Sequence, residues 1–350
     1  MAKTAWKIVL GLWIAALLAP APANARPEDT AASARTVAMT FDDLPLALAG
    51  ETDAEATRAI AAAANRRILA ALRKYRAPAT GFVVERRVRA LGPGAERLLA
   101  AWNAGPYELA NHGFSHADAN SLDLAGIERE IVEGEATIGP MAAKAGRRLR
   151  FFRFPYNHLG DTPEKQAAAL SLLRARGYQI AASTIDTSDY QFSAAFERAL
   201  RQRDKPMQER IKRAYLDHTA TQIAYYGDLD RQVLGFEPPA VMLLHLSRLN
   251  AATLDAILAL FRKAGYRFVS LAEAQAHPVY AEPPRFVTRF GPMWAYRWAR
   301  DRGVKVDGRL EQEPPAWIGD YAAGRTPGAA PGPAAAHRDG GDTGLQKPQP

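Results

Sequence analysis

Five short polar clusters in this chain of 350 residues each follow an apolar run that reads as a β-strand. The first is Thr40-Phe41-Asp42-Asp43, and two adjacent carboxylates resist joint ionisation unless a cation or an arginine lies between them. The second runs from Asn111 through His112 and Gly113 to Ser115 and His116, setting two imidazoles four residues apart. A tight loop or one helical turn can aim both rings at one cation. With an aspartate from elsewhere they make the three-ligand, one-open-position set of a hydrolytic zinc centre. The third, Arg153-Phe154-Pro155-Tyr156, joins an arginine suited to holding a carboxylate to a proline-stiffened loop whose next backbone N–H can face an oxyanion. The fourth, Asp186-Thr187-Ser188-Asp189-Tyr190, again puts two acids beyond a strand, and the fifth ends an apolar strand with an imidazole, Leu243-Leu244-His245. Each has an ordinary structural reading by itself: a solvated acidic loop, an incidental histidine pair, a plain turn, a strand-end histidine satisfied by a neighbour. Their shared place at strand ends is what points to a site.

That place is set by the elements between them. Short apolar runs at 36–41, 80–84, 107–110, 149–152, 179–182, 241–246 and 267–269 alternate with stretches of helical periodicity at 56–74, 95–104, 124–138, 164–176 and 252–264. Seven strands in βα alternation predict an irregular (β/α)7 barrel, and parallel α/β barrels assemble their sites from loops at the C-terminal ends of the strands. A charged, helical insertion spans about 192–234 and carries Tyr215, Tyr225 and Tyr226, expected to pack it onto the barrel, although a lid or groove wall is the other reading. The core domain is expected to close at 277, followed by an appendage at 278–324 with Trp294, Trp298 and Trp317. A Pro/Gly/Ala-rich tail, expected to be disordered, takes up 325–350.

At the N-terminus Lys3 and Lys7 lead into an apolar run ending at Leu18, closed by Pro20, Pro22 and Ala23-Asn24-Ala25. The run is shorter than the roughly 20 residues of a membrane-spanning helix, so the layout predicts a signal peptide at 1–25, cleaved to leave no stable membrane span. The mature chain is then expected outside the cytoplasm, in the periplasm. Cleavage lowers the formal net charge from +8 to +6. A basic surplus favours anionic surfaces such as a cell envelope, or serves solubility alone; without a long basic block, nucleic acid is not expected as a partner. The chain has no cysteine, which excludes disulfides, thiolate metal ligands and a cysteine nucleophile. A Gly-x-Ser-x-Gly elbow is also absent, against a serine hydrolase.

In their order, the five clusters resemble the motifs of the polysaccharide deacetylase family, carbohydrate esterase family 4, also called the NodB-homology domain. The likeness extends from about Thr36 to Leu271 and ends in Gly265-Tyr266-Arg267-Phe268-Val269-Ser270-Leu271 after a helix. The resemblance implies Asp42 as general base and Asp43, His112 and His116 as ligands of a divalent metal, with zinc the default for such donors and cobalt or nickel the substitutes. It further implies that Arg153 holds Asp42, that Tyr156 offers its backbone N–H to an oxyanion, that His245 is the general acid, and that Asp186 orients and tunes His245. The implied substrate is an N-acetylated glycan. Leu44, Asn157 and Tyr190 stand where the family has Gly, Gly and Trp. These departures bear on the groove, and Leu44-Pro45 is expected to narrow it beside the base. A barrel that binds carbohydrate without catalysis, and a hydrolase of acetyl esters or cyclic amides, are the competing readings.

Overall fold

Apolar runs rich in β-branched and aromatic residues form seven strands: β1 (Thr36–Leu44), β2 (Ala79–Val83), β3 (Tyr107–Asn111), β4 (Phe151–Phe152), β5 (Gln179–Ile180), β6 (Ala240–His245) and β7 (Arg267–Val269). The structure is a computed structural model that describes Met1 and residues 35–47 and 53–325. The expected signal peptide after Met1 and the expected tail after Arg325 lie outside the described residues.

All strand pairs are parallel, in the order β5-β4-β3-β2-β1-β6, with β7 also on β1. β6 runs along one edge of β1 from Val37 to Asp42. On the other edge β2 takes up β1 from Met39 onward, and β7 pairs with Thr36, Val37 and Ala38, which β2 leaves open. A bridge from Ile185 to Met242 ties the chain beyond β5 back to β6, curling the sheet into an irregular (β/α)7 barrel. Both faces of such a sheet are covered, so β1 is buried along almost its whole length.

The covering helices are α1 (Ala54–Tyr75), α2 (Glu85–Ala90), α3 (Glu96–Ala100), α4 (Leu124–Glu133), α5 (Ile138–Lys144), α6 (Pro163–Ala175), α7 (Asp189–Arg201), α8 (Lys205–Leu234), α9 (Arg248–Lys263), α10 (Leu271–Gln275), α11 (Trp294–Arg302) and α12 (Ala316–Ala322). Side-chain oxygens of Asp53, Asp123, Thr162, Asp204 and Ser247 accept from first-turn N–H groups and start α1, α4, α6, α8 and α9. The helix expected over 124–138 is shorter, and α5 starts only at its last residue, Ile138. α4 stops at Gly134, where a side chain would meet Asn111 Oδ1 at 2.4 Å and the Gly113 backbone at 2.9 Å. The helix expected over 95–104 is cut to α3 and a 3-10 turn, Ala101–Asn103, that buries Trp102 with its Nε1 donating to Asn65 at 2.7 Å.

In the region expected as an insertion, α7 and α8 form two successive helices. Tyr215 of α8 donates to Asn250 of α9 at 2.8 Å, Tyr226 donates to Glu311 at 2.7 Å, and the Tyr225 hydroxyl lies 2.7 Å from that of Tyr296. The tyrosines therefore fasten the helices to α9 and to the region after α10. Among the described residues no helix is long and apolar enough to cross a membrane.

Candidate metal centre and active site

In a regular strand consecutive side chains point to opposite faces, yet Asp42 and Asp43 both line the same cavity, of about 540 Å³. A register shift between Phe41 and Leu44 and a left-handed Asp43 (φ 68°) turn the second carboxylate to the side of the first. The same shift sends Leu44 inward: its side chain packs where a Cβ on Gly81 would stand, and it is fully buried. Leu44 thus fills core and does not narrow the cavity, contrary to expectation.

The imidazoles come from the loop after β3. Asn111 Oδ1 accepts from Gly113 N at 2.8 Å, Gly113 is left-handed at φ 85°, and Glu130 of α4 accepts from the Ser115 amide (2.8 Å) and hydroxyl (2.5 Å). His112 donates from Nδ1 to the Arg153 carbonyl at 2.8 Å, which leaves the Nε2 lone pair for the cavity. His116 Nε2 lies 3.3 Å from Asp43 Oδ1, and His112 Nε2 lies 3.9 Å from it. Two ligands bound at zinc distances in a tetrahedral set stand about 3.3 Å apart, so the spacing fits a shared ion.

Two further observations bear on the fit. Asp43 Oδ1 is buried with no hydrogen-bond partner, while Oδ2 is held by Arg87 at 3.2 Å. Burial opposes ionisation of Asp43, but Arg87 and His116, with smaller help from His245 and His112, hold the carboxyl well below its usual range. Burial also drives the His116 pKa down to about 4, over the opposing pull of Asp43, so this ring is neutral at neutral pH as a metal ligand must be. Asp43, His112 and His116 are the group with metal-ligand geometry among the described residues.

Around this trio stand two ion pairs. Arg153, 1% exposed, donates to Asp42 Oδ1 at 2.7 Å, to Thr40 at 2.9 Å and to the Ala182 carbonyl at 2.7 Å, and its guanidinium lies 4.3 Å from the Phe82 ring centre. Asp42 Oδ2 lies 3.7 Å from His112 Nε2. On β6, the strand beside β1, His245 Nδ1 lies 2.7 Å from Asp189 Oδ1, and the His245 amide donates to Asp189 Oδ2 at 2.8 Å. Asn250 Nδ2 also donates to Asp189, at 2.5 Å. Burial would lift the Asp189 carboxyl, but His245 and Asn250 hold it below its usual range. The imidazole is pushed the other way: burial opposes its charge, but Asp189 overrides this, with help from Asp43 and Asp42, and its pKa rises to about 10.

The expected partner of His245 is therefore corrected. Asp186 lines the cavity, but its Oδ1 accepts from the Ser188 amide at 2.9 Å, and the contact to His245 comes from Asp189, the first residue of α7. Both acids belonged to the fourth cluster; helix start and Asn250 decide between them. Arg87 was not anticipated either, although it follows β2 at the strand end where the other clusters sit. Tyr156 lines the cavity, its ring 4.8 Å from that of His116, and it is left-handed at φ 60°, followed by a left-handed Asn157 at φ 55°.

Residues 29–181 match the family model for polysaccharide deacetylase. A chitin deacetylase of Arthroderma benhamiae is 28% identical over 156 residues, 45% of this chain and 35% of that one. Another, from Pestalotiopsis sp, is 30% identical over 94 residues, 27% of this chain and 28% of the relative. The match thus spans about a third of these relatives' length. Among solved structures, a family-4 carbohydrate esterase pseudoenzyme from Bacillus anthracis superposes with a TM-score of 0.46 at 16% identity, covering 69% of this chain and 66% of that one. With the motif residues gathered around one cavity and the family model matched over the strands that carry the first three motifs, residues 29–181 carry a polysaccharide deacetylase domain of the carbohydrate esterase family 4 type.

Proposed function

We propose that this protein is an exported, metal-dependent deacetylase that hydrolyses the acetamide of N-acetylglucosamine-type sugars in a polysaccharide or oligosaccharide. One observation carries the reading: Asp42, Asp43, His112, His116 and His245 line a single cavity, its carboxylates and imidazoles already braced by Arg153 and Asp189. The chitin deacetylase relatives support the substrate class.

Asp43, His112 and His116 would hold the divalent ion, zinc by the chemistry of the donor set, with Co2+ or Ni2+ as substitutes. When bound, it would supply Lewis acidity and make water acidic enough to attack at neutral pH. Asp42, held by Arg153, receives the proton of the attacking water. His245 then hands a proton to the departing nitrogen, since an amine anion is too basic to leave unaided. Its pKa, raised to about 10 chiefly by Asp189, keeps that proton in place across the neutral range. The Tyr156 backbone N–H stabilises the tetrahedral oxyanion. Tyr190, Asn157, Glu197 and Arg201 complete the polar wall that meets the sugar.

Acetate release from chitooligosaccharides, peptidoglycan fragments and poly-N-acetylglucosamine, each with metal-stripped and zinc-reloaded protein, tests the reading. Release that disappears with the metal and returns with zinc is expected. No release from any of the three at full zinc occupancy would leave a carbohydrate-binding protein without turnover, and release from acetyl esters alone would make it an esterase. Export is tested by sequencing the N-terminus of the periplasmic form, expected near Arg26.

A further inference from the structure

The segment 284–297, which leads into and includes the first turn of α11, runs across loops that border the candidate site. Its first residues are held by Gln166, whose Nε2 lies 3.1 Å from the Pro284 carbonyl and 3.3 Å from that of Arg285. Asn120, in the turn after the histidine loop, donates to the Arg289 carbonyl at 2.8 Å. At the other end Trp294 N donates to the Ser183 carbonyl at 2.9 Å, and Ser183 Oγ lies 3.2 Å from Asn157 Oδ1. Between these fastenings the strap meets the turn that carries Tyr156. A Cβ built on Gly291 would stand 1.7 Å from the Tyr156 carbonyl oxygen and 3.1 Å from Asn157 Cβ, a space no side chain can share. Arg297, 1% exposed, donates to the Asn157 carbonyl at 2.8 Å and to that of Phe290 at 3.3 Å.

Tyr156 and Asn157 are both left-handed, a conformation that costs an L residue energy and persists only where the surroundings impose it. Asparagine tolerates it; tyrosine does so much less. The strap meets the two peptides that follow Tyr156: Gly291 lies against the Tyr156 carbonyl, and Arg297 donates to the Asn157 carbonyl. Holding these two peptides restricts ψ of Tyr156 and both dihedrals of Asn157, so the turn that carries the Tyr156 N–H cannot relax out of its left-handed conformation.

We propose that the strap is a positioning element of the deacetylase site, in which Gly291 and Arg297 hold the Tyr156–Asn157 turn so that the Tyr156 N–H meets the developing oxyanion. The proposal rests on the reading of Tyr156 as the oxyanion donor. Gly291 acts by its lack of a side chain, and Arg297 by a buried guanidinium that ties the turn to the strap itself.

Gly291→Ala and, as a milder second variant, Arg297→Lys test it in the full-length, zinc-loaded protein. For Gly291→Ala, kcat is expected to fall about 10- to 100-fold, short of the roughly 10²- to 10³-fold loss of a whole oxyanion donor. The fall should be similar on a chitooligosaccharide and on an aryl acetate, because both pass through a tetrahedral oxyanion, with KM and zinc content held within about twofold. Arg297→Lys, which keeps the charge, should fall less. Hydrogen exchange supplies a readout besides activity: the peptide covering 153–160 should exchange faster in both variants while the strand peptides do not change. A Gly291→Ala protein with unchanged kcat and unchanged exchange at 153–160 would overturn the proposal, as would losses confined to melting temperature. If the wild type itself turns over no substrate, the deacetylase reading fails separately and the exchange data alone decide the bracing.

Discussion

Two ion pairs, one buried and one part-buried, flank the candidate metal centre, and they differ in kind. Asp42 is held by Arg153, a cation that does not titrate in water and that spreads its donors over Asp42, Thr40 and the Ala182 carbonyl. Asp189 is matched with His245, whose charge is conditional: the carboxylate creates it and a high enough pH removes it. One pair orients its carboxylate with a partner whose charge does not vary with pH in water. The other stores a proton whose release depends on pH, which is what a general acid needs. The comparison teaches that the two halves of the site should fail differently.

The largest effect is expected from removing what both pairs face. His112→Ala or His116→Ala should lose the metal and more than about 10³-fold in activity, whereas Asp42→Asn should keep the metal and lose about 10²- to 10⁴-fold. Metal analysis beside the kinetics separates them, and full metal content in both histidine variants would end the ligand assignment. On the fixed side, Arg153→Met leaves Asp42 buried without its cation, and stability should fall by about 3–5 kcal/mol, read by denaturant unfolding. A stability within experimental error of the wild type would mean that Asp42 finds another partner.

On the conditional side, His245→Ala should cost about 10²- to 10⁴-fold on an N-acetyl amide and under about tenfold on an activated aryl acetate, whose phenolate leaves without a proton. Equal losses on both substrates at full metal occupancy would contradict the general-acid role. A smaller and more diagnostic change is Asp189→Asn. Asp189 raises the His245 pKa, so its neutralisation lowers that pKa, and the protonated acid is lost at lower pH. The alkaline limb of the pH–rate profile should move toward acid, with kcat at neutral pH reduced about 10- to 100-fold. Asp186→Asn is the matching control and should leave the position of that limb in place; a shift as large as that of Asp189→Asn would return the tuning role to Asp186.

All seven strands and the clusters behind them were legible because each strand and its polar end are contiguous in sequence. A run such as Leu243-Leu244-His245 needs no tertiary knowledge to be read. What escaped was set by contacts between residues far apart in the chain. The choice of Asp189 over Asp186 depends on where α7 begins and on Asn250 reaching over from α9. Leu44 was placed beside the base by its position in the chain, and the register shift in β1 turned it into the core instead. The interruption of the helix at Gly134 follows from the approach of Asn111 and Gly113, and the strap from a glycine whose neighbour in space, Tyr156, lies far away in sequence. Periodicity carries no information about such approaches.

The place of β1 in the sheet also orders events in time. Its two aspartates are among the earliest chemistry-bearing residues in the chain, yet the strand is sealed by β6 and β7, about two hundred residues later, with Leu246 N donating to the Asp42 carbonyl at 2.9 Å. Such distant pairings close late, since the loop entropy is lost before their contacts reward it. A nascent chain that has passed His116 thus contains the three proposed metal ligands before β6 and β7 have sealed β1. Zinc uptake should lag behind helix formation during refolding and follow the docking of β6, making the ion a reporter of completed assembly.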